Sequence, residues 1–268
     1  MADNEKIGFF EQFYISIVKR KDYTKLSKLK GGSHFIYLLG ITFLLVLIVY
    51  VIPLAGLLAR IGGFSNFFLT RLPAFKIVDG EFSIETPMDF TVNSLHIVAD
   101  SSVDTYSTLV VSEDKLPSVY FGKKGMTSNM GIVPMTFTYT MLGISNIDNQ
   151  TVAASSGSFY MLLTFSGLIE WVVLMGSYVF MALVFALFSI PVNKMVKANL
   201  SFGKLFALAL YAETVFALVS RIAMYFSGNM LFLIISAVSI IISMRSLNVA
   251  IMYHSPNPPR SPFDDMNE

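Results

Sequence analysis

Four charged residues lie inside stretches that are otherwise apolar: Glu170, Glu213, Arg221 and Arg245. Ionisable groups in such surroundings are costly, and they pair with one another or line a polar path. Depth along the apolar stretches ranks the partners. Glu170, beside Trp171, and Arg221 both fall near one end of their stretches, while Glu213 and Arg245 both fall towards the other. The expected pairs are therefore Glu170 with Arg221 and Glu213 with Arg245. Three readings stand: two buried pairs that fix helix register, a polar path for an ion or substrate, or snorkelling of the charged heads to the interfaces.

Other chemistry is sparse. Acidic residues gather between the first two apolar stretches, at Asp79, Glu81, Glu85, Asp89, Asp100, Asp104, Glu113 and Asp114. Two of them facing one another would make an acid–base pair, but their spacing selects none. The segment Asp100 to Asp104 lacks the glycine and the terminal glutamate of a calcium loop. His34, His96 and His254 are far apart, and cysteine is absent, which rules out disulfides, thiolate metal sites and a cysteine nucleophile. No phosphate-binding glycine loop, zinc motif or serine elbow occurs. No catalytic residue, metal or cofactor is predicted. Asn149-Gln150-Thr151 is a glycosylation sequon, which matters only in a eukaryotic secretory route.

The elements that carry these residues follow from composition. Of the 268 residues 54% are hydrophobic and only 14% charged, against about 25% charged in a soluble globular chain. A net charge of +1 gives nothing that suggests a nucleic-acid partner, which would need a basic patch. Residues 35–59 are uncharged and reach about 37 Å as a helix, enough for a hydrocarbon core of about 30 Å. Pro53 is placed to kink this span near its outer end. Further spans are expected at 159–190, ended by Pro191, at 205–226 and at 230–252, the last two joined by the turn Ser227-Gly228-Asn229.

Lysine and arginine set the orientation. Lys6, Lys19, Arg20, Lys21, Lys25, Lys28 and Lys30 precede the first span, and Lys194, Lys197 and Lys204 lie between the second and third. This places segment 1–34, loop 191–204 and tail 253–268 in the cytoplasm and segment 60–158 outside. The fold class that follows is an α-helical integral membrane protein. It has about four transmembrane helices and a small, mostly β extracytoplasmic domain between helices 1 and 2.

Within 60–158, Asp79-Gly80 between two alternating runs is a hairpin signal. The runs at 88–100, 107–121 and 133–142 read as further strands, punctuated by Pro73, Pro87, Pro117 and Pro134. The basic N-terminal segment, with Phe9, Phe10, Phe13, Ile15, Ile17 and Val18, has two readings. It is an amphipathic stretch along the inner leaflet, or a plain helical flank.

This order of parts resembles a known bacterial membrane family. The N-terminal segment ends in Tyr23 and Leu26, and Leu72-Pro73-Ala74-Phe75-Lys76-Ile77-Val78-Asp79-Gly80-Glu81-Phe82 follows the first span. Nearly the whole chain is similar to the family catalogued as domain of unknown function 1189. That family includes proteins named for maltodextrin utilisation, found mainly in Gram-positive bacteria. Its most specific run is Pro-x-Phe-x-Ile-x-(Asn/Asp)-Gly-Glu-apolar, at Pro73 to Phe82. Ala74 departs from the pattern, which has a polar or acidic residue there. The resemblance implies a bacterial cell membrane address and a link to carbohydrate uptake, and it supplies no catalytic residues.

The sequence thus points first to a non-enzymatic accessory or scaffold protein. Its exposed domain would meet a membrane partner such as a sugar permease or solute-binding protein, with Pro73, Phe75, Asp79 and Gly80 as a candidate docking turn. The alternative is a subunit of an oligomeric transporter or channel, and the third reading is a membrane enzyme acting on lipid or wall precursors.

Overall fold

The computed structural model describes residues 7–92, 95–112, 117–129, 133–224, 229–256 and 258. The expected turn at Ser227-Gly228 and the acidic residues Glu113 and Asp114 lie outside these. The chain forms two compact units, a helix unit of residues 1–54 and 164–268 and a β unit of residues 55–163.

Helices come in chain order as α1 (Phe9–Ile17), α2 (Tyr23–Leu26), α3 (Gly31–Val46), α4 (Ile52–Ile61), α5 (Phe64–Asn66), α6 (Thr108–Ser112), α7 (Asn149–Ala154), α8 (Ser156–Met195), α9 (Phe202–Ala223) and α10 (Asn229–Met252). Four helical stretches among the described residues are long and apolar enough to cross a membrane: Gly31–Arg71, Ser156–Met195, Phe202–Ala223 and Met230–Met252. The first is longer than the span expected at 35–59, because a π-helical turn at Leu47–Val51 joins α3 to α4 and another at Phe67–Arg71 extends α5. The first of these turns sits just upstream of Pro53, whose ring and missing N–H disturb the regular ladder. Gly62 and Gly63, both at positive φ, interrupt the stretch before α5. Pro191 does not end α8, which runs on to Met195. The proline removes one ladder bond, from its own missing N–H to the carbonyl four residues back, and Asn193 ties the following turn by donating to Leu200 O (2.9 Å) and accepting from Leu200 N–H (3.0 Å).

The core of the helix unit is built around α9. Its Ala209, Ala212, Ala217 and Ser220 are buried, as are Ser239, Ser243, Ser246 and Ala250 of α10, so the two helices pack along small residues. Ser243 Oγ also accepts from the backbone N–H of Phe216 (3.2 Å). The N-terminal segment is drawn into this core. In α1 the polar Gln12 and Ser16 are buried with Ile15, while Phe10, Tyr14, Ile17 and Val18 face outward. Gly40 makes room for the Phe9 ring, since a Cβ there would lie 2.4 Å from Phe9 Cε2.

The β unit holds two sheets, ordered β2-β1-β8 and β3-β4-β5-β6-β7. The strands are β1 (Phe75–Val78), β2 (Glu81–Ile84), β3 (Met88–Val92), β4 (Leu95–Ala99), β5 (Ser118–Phe121), β6 (Gly125–Asn129), β7 (Met135–Thr138) and β8 (Asn146–Asp148). All pairings are antiparallel except β4 with β5. The Asp79-Gly80 hairpin forms with Val78 opposite Glu81. Asp79 (φ 52°) and Gly80 (φ 80°) both take the left-handed conformation that a two-residue turn of this hand demands. Ile77, Phe82, Ile84, Ala99 and Tyr139 form the core, with Phe75 and Phe121 packed on it. The run 107–121 supplies its strand at its end, as β5, and not at its start. Thr108–Ser112, in the run 107–121, is a helical turn, fixed by full burial of Val111 and by Asn129 Nδ2 donating to Val111 O (3.2 Å). Tertiary contacts override the β preference of its threonine and valines.

Candidate functional site

In the helix unit, tyrosine and threonine hydroxyls from three helices converge beside α9. Tyr37 of α3 donates to Ser16 Oγ (3.0 Å) and lies 2.6 Å from Thr214 Oγ1. Tyr178 of α8 donates to Leu210 O (2.6 Å) and lies 3.1 Å from the same Thr214 hydroxyl. Tyr211 donates to Gln12 Oε1 (2.9 Å), and its hydroxyl lies 2.8 Å from His34 Nδ1. Each of these polar atoms has a partner, as buried groups require.

Glu213, next to Thr214 in α9, departs from that pattern. It is 2% exposed, and its Oε2 has no hydrogen-bond partner. It lines a cavity of 330 Å³ together with Ser177, Tyr178, Ser220, Arg221 and Ser236, whose other walls include Leu174, Phe216, Phe232 and Ile240. Ser236 Oγ is likewise buried without a partner. A carboxyl group, four hydroxyls and apolar walls make an arrangement that accepts hydrogen bonds and positive charge.

The structure brings Glu213 and Arg221 to this one cavity, but it does not join the pairs that depth suggests. Among the described residues no ion pair links Glu170 to Arg221 or Glu213 to Arg245. Depth gives height along a helix and not direction around it. Arg245 is exposed and stands two residues, about 200° of helical turn, from buried Ser243. Arg221 reaches instead towards Met224 Sδ (4.0 Å). Tyr37, Tyr178 and Thr214 of the hydroxyl cluster are what sequence reasoning missed. Their signal was the recurrence of Tyr and Thr within apolar spans, as at Tyr211 and Thr214, three residues apart on one helix face.

The β unit has a larger groove of 730 Å³. It is lined by Leu69, Leu72, Ala74 and Phe75, by Lys76, Ser83, Ile84 and Glu85, and by Asp148, Asn149 and Gln150. Asn149 closes its back. Its Oδ1 accepts from Phe75 N–H (2.6 Å), and its Nδ2 donates to Phe68 O (2.8 Å) and Pro73 O (3.2 Å). The asparagine of the sequon is therefore a clasp. Asp148 caps α7 by accepting from the Thr151 N–H (2.7 Å) and hydroxyl (2.7 Å), and these bonds hold its carboxyl below the usual range. Of the candidate docking residues, Phe75 lines the groove and Pro73 borders it through the clasp. Asp79 and Gly80 lie at the other end of β1, where Gly80 packs against Thr140.

Acidic side chains of this unit are turned to basic ones. Glu81 pairs with Lys123 (3.2 Å), Asp89 with His96 (2.7 Å) and Asp104 with Lys124 (2.7 Å). The Lys124 ammonium lowers the Asp104 pKa and is itself raised by it. Asp100 is held low by Ser102, through its hydroxyl and then its N–H. Residues 100–104 thus form a loop tied to the β5–β6 turn, and among the described residues no three His, Asp or Glu gather for a metal.

A family model described as "Protein of unknown function (DUF1189)" matches residues 10–247. The chain belongs to that family. Neither a curated protein nor a solved structure matches it. The matched range takes in both the Glu213 cavity and the groove beside Phe75, so both lie within the DUF1189 region.

Proposed function

We propose that this DUF1189 protein is a multi-pass protein of the bacterial cell membrane, with both termini cytoplasmic, that acts without catalysis as an accessory to a membrane partner. In this reading the helix unit anchors the chain and the β unit, held outside, docks the partner. The groove beside Phe75 is the observation that carries it. It offers apolar contact through Leu69, Leu72 and Ile84 and charge of both signs through Lys76 and Glu85, a composition suited to a protein surface. The resemblance to maltodextrin-utilisation proteins directs attention to a sugar permease or a solute-binding protein.

The absence of cysteine makes the test direct. A single cysteine at Ser83, on the groove wall, is labelled in intact cells with a membrane-impermeant photo-crosslinker. Capture of a permease or solute-binding protein, abolished when Gln150→Trp fills the groove, is the expected result. Failure of the well-expressed variant to label removes the outside placement. Capture unchanged by Gln150→Trp removes the groove as the docking site.

A second reading, a subunit of an oligomeric transporter, draws on the unpartnered Glu213. It requires that purified protein in liposomes move a solute and lose that flux on Glu213→Gln.

A further inference from the structure

We propose that the cavity beside Glu213 is a binding site for a protonated alkyl amine. This rests on neither functional reading above. Two buried acceptor atoms without partners, Glu213 Oε2 on α9 and Ser236 Oγ on α10, line the same space. Buried polar atoms left unpaired are rare and call for an explanation, and two on one cavity share one: a donor group that enters from outside the chain. An ammonium offers three donors and a positive charge, and so answers both atoms at once.

The remaining walls choose among cations. A divalent ion such as calcium takes six to eight oxygen ligands. Here a single carboxyl group stands among a few hydroxyls, of which Tyr178 and Ser220 already donate to Leu210 O and Ala217 O. Phe216, Phe232 and Ile240 suit an alkyl chain. Arg221 is eight residues from Glu213, about 12 Å along the helix, too far to neutralise it. Its charge at that end of the cavity disfavours a second cation, so one charged group is accepted, at the Glu213 end. At about 30 Å³ per non-hydrogen atom, on the scale of liquid water, a seven-atom amine needs about 210 Å³. The cavity of 330 Å³ holds it.

The test is equilibrium dialysis at neutral pH of radiolabelled hexylamine against the purified full chain in detergent, with empty micelles subtracted and 1-hexanol as the neutral probe of equal length. The expected result is one hexylamine held per chain and hexanol held at least tenfold more weakly. Glu213→Gln should weaken the amine by tenfold or more, and Ser236→Ala by severalfold. Ser236→Ala removes no charge and decides the matter if Glu213→Gln does not fold. Three results overturn the proposal: no retention of hexylamine, equal retention of hexylamine and hexanol, or amine binding unchanged in the variants that fold.

Discussion

The two units treat polar groups differently. In the β unit Asn149, Asp148, Glu81, Asp89 and Asp104 each meet a donor or a cation, and the bonds they make hold strands, turns and a helix end in place. In the helix unit the hydroxyls of Tyr37, Tyr178 and Tyr211 are equally well matched, yet Glu213 beside them is not. Of the four buried side-chain atoms without partners among the described residues, three lie in the helix unit: Glu213 Oε2, Ser236 Oγ and Asn248 Oδ1. The fourth is Ser118 Oγ of the β unit. Polarity that folds a protein is satisfied from within. Polarity left open at a cavity is available to something else.

Asn149→Ala should sharpen the contrast most. It removes the bonds to Phe75, Phe68 and Pro73 and leaves their backbone groups unmatched, a loss of about 2–4 kcal/mol. Hydrogen exchange of the β1 amides should quicken by two orders of magnitude or so, and exchange at wild-type rates would break the claim that Asn149 is a clasp. Tyr37→Phe comes next. With Ser16 and Thr214 deprived of a buried partner, the cost is about 1–3 kcal/mol, read as faster exchange in α1 with β1 unchanged. Gly80→Ala should cost about 1–2 kcal/mol for a side chain forced to positive φ, with further strain from Thr140, and should loosen only the hairpin.

Acid gives the smallest effect. The pKa values of Asp148, Asp104 and Asp100 lie below their ordinary range in the folded chain. A lowered folded pKa stabilises above the unfolded value, near 4, and that stability is lost as pH falls through the folded value. Melting of the β unit should therefore be flat from pH 7 to about 5 and decline below about 4. Asp148→Asn should blunt the decline, and a decline as steep as that of the wild type would count against the cap.

What the sequence made legible was local. Asp79-Gly80 announces its turn because the backbone angles depend on those two residues. The apolar stretches announce helices because length and composition suffice. Contacts distant in sequence were not readable. Nothing beside α1 in the sequence marks Gln12 and Ser16 as buried, because the Tyr211 and Tyr37 hydroxyls that bond them lie further along the chain. Thr108–Ser112 reads as strand because Asn129, which holds it as a helix, lies further along the chain. The charges within the apolar stretches stand out in the sequence, but their direction around each helix depends on packing, so Arg245 faces outward and Glu213 inward.

The most direct test of the central claim is the thermal unfolding of Glu213→Gln in detergent without added ligand. A carboxyl group that serves no internal partner can be neutralised at no structural cost, so the midpoint should stay within about 3 °C of wild type or rise, where about 3 °C corresponds to roughly 1 kcal/mol in a chain of this size. A fall of more than about 6 °C, roughly 2 kcal/mol on the same scale, would show that Glu213 is bonded within the fold and that the cavity holds no open acceptor.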